Sequence, residues 1–177
     1  MTILLRIATH ADIPALNALI ARSARGLSRG DYRPEQVEGA LRGAFGVDTQ
    51  LLRDATYFVA EANGDPVGCG GWSYRATLFG SDARGGRDAT RLDPSKDAAR
   101  IRAFFVDPGF ARRGIASQLL ARCEQEARAQ GFRAAELMGT LPGVKFYSVR
   151  GYVGSDLVRY EIGAGEVIEF IPMRKTL

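Results

Sequence analysis

Apolar residues along this chain recur at two spacings. Residues 3–8 form a short apolar run with Arg6 inside it; after Thr9-His10-Ala11-Asp12 the apolar positions return at Ile13, Leu16, Leu19 and Ile20. This order predicts a strand, a cap and an amphipathic helix. Pro34-Glu35-Gln36-Val37 opens a second helical pattern through Leu41 and Phe45, extending to Leu52 after an interruption at Gly46. Residues 56–62 are rich in β-formers, Asn63-Gly64-Asp65 is a turn signal, and 67–74 is strand-like again, which together predict a hairpin.

Residues 80–97 break the rhythm. Gly80, Gly85 and Gly86 alternate there with Asp82, Arg84, Arg87, Asp88, Arg91, Asp93, Lys96 and Asp97, and almost nothing apolar is available to bury. The segment reads as a long surface loop, either a functional lid or a disordered insertion, and its balanced charges exclude a basic arm. Beyond it, 101–106 is the most strand-like run of the chain, closed by Asp107-Pro108-Gly109. Gly114 begins a helical pattern of Ile115, Leu119, Leu120, Cys123 and Ala127 that stops at Gly131. Residues 133–138 predict another strand, Thr140-Leu141-Pro142 starts a helix carrying Phe146 and Tyr147, and 153–162 and 167–173 predict two strands around Gly163-Ala164-Gly165.

Composition narrows the classes. With 177 residues, 46% hydrophobic and 25% charged, the chain suits a single domain, 1–177, with a real core. The net charge of +4 favours anionic ligands. Its positive residues are dispersed among acids, unlike the clustered Lys/Arg and exposed aromatics of a polyanion binder, so no nucleic acid is expected. No apolar stretch reaches the ~18 residues of a membrane span. Met1 to Ala11 lacks a basic region followed by an apolar core. A cytoplasmic protein without a membrane partner is therefore expected. Cys69 and Cys123 stand far apart and His10 is the only histidine, which leaves no set for a disulfide framework, a metal site or a Cys-His or Ser-His-Asp nucleophile.

The 21 glycines exceed the usual share of about 7%. One of their clusters, at 109–114, lies between a predicted strand and a predicted helix. Such a turn leaves backbone N–H groups without intrahelical partners where the helix dipole is positive. Gly114 permits close approach, Ala116 is small, and Arg112 and Arg113 add charge, so the turn can cradle a diphosphate. On spacing alone, Gly114 equally well just starts a helix packed on the sheet.

With its flanks, this segment resembles the GNAT superfamily of acyl-CoA-dependent N-acetyltransferases. In that family a strand ending in V-x-P runs into [RQ]-x-x-G-x-[GA]; here the chain has Val106-Asp107-Pro108 and Ala111-Arg112-Arg113-Gly114-Ile115-Ala116. A second signature, an aromatic-Tyr pair ahead of Gly and an aromatic, is present as Phe146-Tyr147-Ser148-Val149-Arg150-Gly151-Tyr152, about thirty residues on. The resemblance covers nearly the whole chain. Three positions depart from it: Ala111 replaces the usual Arg or Gln, Thr140 stands about where many members carry Asn, and Arg100 falls near the place of a glutamate general base.

The resemblance implies a single α/β domain, a mixed, mostly antiparallel sheet flanked by helices on both sides, with a cofactor cleft between the strands at 99–106 and 133–138. It implies acetyl-CoA as co-substrate, with pantetheine along Phe104, Phe105 and Val106 and the diphosphate on Ala111, Arg112, Arg113, Gly114, Ile115, Ala116 and Ser117. A backbone N–H near Phe104 or Phe105 would steady the thioester oxygen, and Tyr147 would give a proton to the departing thiolate. The base is unassigned among Glu61, Asp107, His10 and a water chain. Trp72, Tyr74, Arg100 and Arg102 are the acceptor-pocket candidates; strand alternation puts Arg100, Arg102 and Phe104 on one face and Ala99, Ile101, Ala103 and Phe105 on the other. Arginines in the pocket would call for an acceptor with a carboxylate or phosphate; the competing expectation is that both pair with acids of the fold.

The expected function is acetyl transfer from acetyl-CoA to a primary amine, with no metal. A catalytically silent acyl-CoA-binding regulatory module is the alternative. The acceptor, small molecule or peptide, is open among antibiotic, polyamine, amino acid and protein amines, and a homodimer is also open.

Overall fold

A computed structural model describes residues 2–177; Met1, part of the stretch read for a leader, lies outside the described residues. β1 (Ile3–Ile7), β2 (Tyr57–Ala62), β3 (Asp65–Ser73), β4 (Ala99–Val106), β5 (Ala134–Thr140), β6 (Val158–Gly163) and β7 (Glu166–Thr176) form a seven-stranded sheet in the order β1-β2-β3-β4-β5-β7-β6. Every neighbouring pair is antiparallel except β4 and β5. A parallel pair needs a crossover, and α4 (Ile115–Ala129) supplies it. The mixed, mostly antiparallel sheet with helices on both faces is the architecture expected from the sequence.

Helical spacing explains how the faces are covered. α1 (Ile13–Leu27) buries Leu16, Leu19, Ile20, Ser23 and Ala24, one stripe of the helix, against Tyr57, Val59 and Cys69. α2 (Pro34–Ala40) and α3 (Thr49–Arg53) add Val37, Ala40, Leu51 and Leu52 to the same core. On the opposite face α4 packs Ile115, Leu119, Leu120, Cys123 and Ala127 over Phe58, Ala60, Trp72 and Ile101. Each leucine-sized side chain fully buried in these layers contributes about 1.5–3 kcal/mol. Gly131, at φ 90°, ends α4 in the left-handed cap that glycine adopts without strain.

Several boundaries move. The second helical pattern splits: α2 stops at Ala40, Phe45 sits buried in a turn, and α3 resumes at Thr49. Gly46, at φ 152°, lies so close to the 80–97 segment that a Cβ would come within 2.8 Å of Ser81. Residues 141–143 form a 3-10 turn ahead of the short α5 (Val144–Ser148). The strand expected over 153–162 begins only at Val158; Val153 makes an isolated bridge with Arg174.

Residues 80–97 fold back onto the domain. Ser81 and Asp82 N–H groups donate to Gly43 and Val47 carbonyls at 2.9 and 3.1 Å, Arg87 meets Asp48 at 2.6 Å, and Leu92 packs on the α4-side core.

The face assignment along β4 also changes. Cys69 pairs with Phe105 and Gly71 with Arg102, two steps on β3 against three on β4, so β4 carries a bulge, with Ala103 at φ 55°. The extra residue reverses the alternation. Phe104 joins Ala99 and Ile101 on the α4 face, and Phe105 lies with Ala103 on the α1 face, contrary to simple period-two reading.

Candidate active site

β4 and β5 pair only at Ala99–Ala135 and Arg100–Glu136. Beyond that point β5 stays hydrogen-bonded to β7 as far as Thr140, while β4 leaves its bulge unpaired on this side. The sheet splits, and the wedge lies between the two strands named by the sequence reading. It opens as a cleft of about 600 Å³ lined by Phe104, Phe105, Val106, the turn into α4 and Tyr147. Ser23 of α1 closes its inner wall by accepting the Val106 N–H at 3.1 Å.

At one end of the cleft stands the turn from β4 to α4. Asp107 braces it, accepting the Gly109 N–H at 2.9 Å and the Arg22 Nε–H at 3.0 Å. Arg112 at φ 63° and Gly114 at φ 81° both take the left-handed conformation. Among the described residues, no acceptor meets the backbone N–H groups from Arg112 to Ser117, and a Cβ on Gly114 would touch nothing. Unpaired N–H groups at the positive end of a fifteen-residue helix, opening on free space, form an anion cradle. Arg150 reaches in from beyond α5, lying 3.9 Å over the Phe146 ring and donating to the Ser117 hydroxyl.

Tyr147, at the other end, is 8% exposed and packs edge-on against Phe104, Phe146 and Tyr152 at 6.4, 4.9 and 5.7 Å. Tyr152 is fixed by its hydroxyl, which donates to the buried Glu124 carboxylate at 3.0 Å. The Tyr147 hydroxyl has no partner among the described residues, and burial pushes the phenol well above its ordinary pKa. It therefore stays protonated at neutral pH, as a proton donor must.

A smaller chamber of about 70 Å³ joins the cleft here; Phe45, Phe104, Phe105, Thr140 and Tyr147 line both. Phe79 and Phe170 complete its apolar wall, and Phe45 stacks edge-on with Phe105 and Phe170. Among the described residues no carboxylate or imidazole lines either compartment. Arg102 lines the chamber and meets Asp48 at 2.7 Å.

The remaining sequence candidates go elsewhere. Trp72 is buried on the α4 face, where its indole N–H donates to Glu126 at 3.1 Å, with Tyr74 stacked edge-on beside it. Arg100 pairs with Glu136 across the short parallel ladder. These three do not line the chamber, because alternation before the bulge turns Trp72 away from it and the ladder engages Arg100. Glu61 is bound to Arg6 at 2.6 Å, Asp107 holds its turn, and His10 lies exposed in the connection ahead of α1. Ser23 escaped the sequence reading, although a hydroxyl within an apolar helical stripe was a readable signal. Tyr32, which donates to the Glu169 carbonyl at 2.5 Å and accepts the Leu141 N–H at 2.9 Å, had no such local signal, nor did Phe45, Phe79 and Phe170.

Among curated proteins none matches the sequence. Solved structures share the fold. A GCN5-related N-acetyltransferase from Rhodopseudomonas palustris is 21% identical, with a TM-score of 0.73 over 100% of this chain and 97% of that one. The PaiA N-acetyltransferase from Thermoplasma acidophilum, solved in complex with coenzyme A, is 16% identical, with a TM-score of 0.68 over 100% of both chains. A ribosomal-protein-alanine N-acetyltransferase from Brucella melitensis is 19% identical, with a TM-score of 0.62 over 98% of this chain and 99% of that one. Among the described residues no helix is long and apolar enough to cross a membrane. The family model described as "Acetyltransferase (GNAT) family" matches residues 25–152, a span that holds the split strands, the N–H cradle and Tyr147, and the chain belongs to that family.

Proposed function

We propose that this protein moves an acetyl group from acetyl-CoA to a primary amine by direct attack of the amine on the thioester. One juxtaposition carries the reading: Tyr147, Phe104 and Phe105 line both the cleft that ends on the N–H cradle and the chamber beside it. Donor and acceptor placed in the two compartments would meet at a protonated phenol.

The residues present fit the coenzyme. The free N–H groups from Arg112 to Ser117 would hold the diphosphate, with Arg112 and Arg113 adding charge, and the β5-side edge of β4 at Phe104, Phe105 and Val106, whose Val106 N–H already bonds Ser23, would hold pantetheine. When bound, the coenzyme supplies an activated acyl group on a sulfur that can leave. Tyr147 holds the proton that the leaving sulfur requires. The apolar walls and the positive Arg102 disfavour an ammonium ion in the chamber, so the amine sheds its ammonium proton to water before attack, and the proton that nitrogen loses on acylation restores the Tyr147 phenol through solvent. Such a route needs no protein carboxylate, which accommodates Arg100 near the place where some members of the family carry a glutamate base.

The test is an acetyl-CoA-dependent assay against a broad library of amines, read by free thiol and by product mass. Thiol release matched to acetylated amine supports the transferase. Tight binding of acetyl-CoA with no thiol release from any amine would instead identify a silent acyl-CoA-binding module, whose one favourable observation is the lack of a carboxylate in either compartment.

A further inference from the structure

Among the described residues Arg102 is the one charged side chain lining the chamber, and its surroundings satisfy it only in part. The side chain is 3% exposed. Its Nη2 donates to the Gly80 carbonyl at 2.6 Å, and Nη1 forms an ion pair with Asp48 Oδ2 at 2.7 Å. Among the described residues the buried Nε–H has no hydrogen-bond partner. Asp48 is also shared: its Oδ1 accepts from Arg87 Nη1 at 2.6 Å and from the Gln50 N–H at 2.9 Å. One buried carboxylate thus faces two guanidinium groups.

Arg84 is anchored on the adjoining segment, with Nη1 on the Phe79 carbonyl at 2.9 Å. Asp82, which meets Arg87 at 3.0 Å, is 42% exposed, so solvent screens its charge. The balance around the chamber is positive, and among the described residues no acid lines the chamber itself. A buried N–H without an acceptor, beside uncompensated charge, is costly unless a ligand supplies the missing group.

We propose that the acceptor is an amine bearing a carboxylate, which Arg102 receives in the chamber while the amine lies toward Tyr147. The inference deepens the transferase reading and rests on it. A carboxylate suits the forked guanidinium donors, and a chamber whose walls are apolar apart from Arg102 disfavours a polycationic polyamine. Arg100, paired with Glu136, takes no part, so one arginine rather than two sets the preference.

The experiment titrates CoA-loaded protein with propanoate and phenylacetate, and with their neutral isosteres propanamide and phenylacetamide, followed by NMR; inorganic phosphate forms a further arm. The carboxylates are expected to bind at least tenfold more tightly than the amides. Arg102→Gln should erase that preference, and Asp48→Asn, which keeps the side-chain oxygen facing the Gln50 N–H but removes the shared negative charge, should enlarge it. Equal binding of the two series, no binding of either, a preference for phosphate over carboxylate, or a preference that survives Arg102→Gln would each overturn the proposal. Should Arg102→Gln fail to fold, wild type and Asp48→Asn decide: an unchanged preference in Asp48→Asn counts against Arg102 as the receptor. CoA loading is checked first by its thermal shift. Its absence would count against the transferase reading alone, and the same titration of the free chain would still judge Arg102.

Discussion

Gly70 lies against the bulged stretch of β4 so closely that a Cβ there would come within 2.7 Å of the Phe104 ring. The missing side chain is what allows Phe104 to sit on the α4 face and line the cleft. Gly70→Ala is expected to push the ring toward the space proposed for pantetheine. Overpacking of this kind costs about 1–3 kcal/mol. The variant should fold with a lowered Tm and bind acetyl-CoA at least severalfold more weakly; calorimetric titration showing unchanged affinity would dissociate Phe104 from the coenzyme.

Acetyl-CoA should stabilise the native chain, since a ligand that binds only the folded state adds about 2.7 kcal/mol at a hundredfold excess over Kd. Gly114→Asp should abolish the shift. It puts a negative charge at the mouth of the cradle and a Cβ on a residue at φ 81°. An intact thermal shift in a folded Gly114→Asp would remove the diphosphate from this turn.

Tyr147→Phe is expected to lower kcat on the order of 10²-fold while leaving acetyl-CoA affinity nearly intact, because it removes only the hydroxyl. Steady-state kinetics and coenzyme titration on the same preparation check both halves.

With no carboxylate or imidazole lining either compartment among the described residues, kcat/KM should rise with pH until the acceptor amine itself is neutral. Burial holds the Tyr147 phenol above its ordinary pKa, so the donor stays protonated over that rise. An additional acidic limb near the ordinary range of histidine or a raised carboxyl would point to a protein base.

Asp12 should mark the acid limit of stability. Its carboxylate accepts both Arg6 terminal nitrogens at 2.7 and 2.8 Å and the Thr9 N–H at 2.7 Å, and the Arg6 guanidinium chiefly, helped by Thr9, holds it well below the usual carboxylate range against the opposing effect of burial. A depressed folded-state pKa contributes stability that is complete above the unfolded value, about 3.9, and is lost as pH falls toward the folded value. Asp12→Asn is expected to cost on the order of 1–2 kcal/mol at neutral pH, and the gap from wild type should shrink progressively below about pH 4. Urea unfolding at several pH values measures it; a gap independent of pH would assign the loss to packing.

Local spacing was enough to read the order of elements, the helical stripes and the glycine turn between strand and helix, because each depends on residues a few positions apart, whereas the V-x-P and aromatic-Tyr signatures were read through the family resemblance. The turn at Arg112 to Ser117 was half legible: spacing alone left open whether Gly114 cradles an anion or only starts a packed helix, and the structure adds that its N–H groups open on free space. The chamber was not legible at all. It joins Phe45, Phe79, Phe105 and Phe170 from separate segments, and only sheet order and helix packing bring them together. The bulge is equally tertiary, since Ala103 is no residue to suggest φ 55°, and the conformation is held by pairing with β3 across from Gly70. One added residue there moved Phe104 to the other face. In the same way the two arginines of β4, identical by sequence pattern, parted according to their neighbours: Arg100 met Glu136 on the next strand, while Arg102 met an aspartate already shared with Arg87. Period and turn chemistry are properties of the chain, whereas the partner of a buried charge is fixed only when distant segments pack.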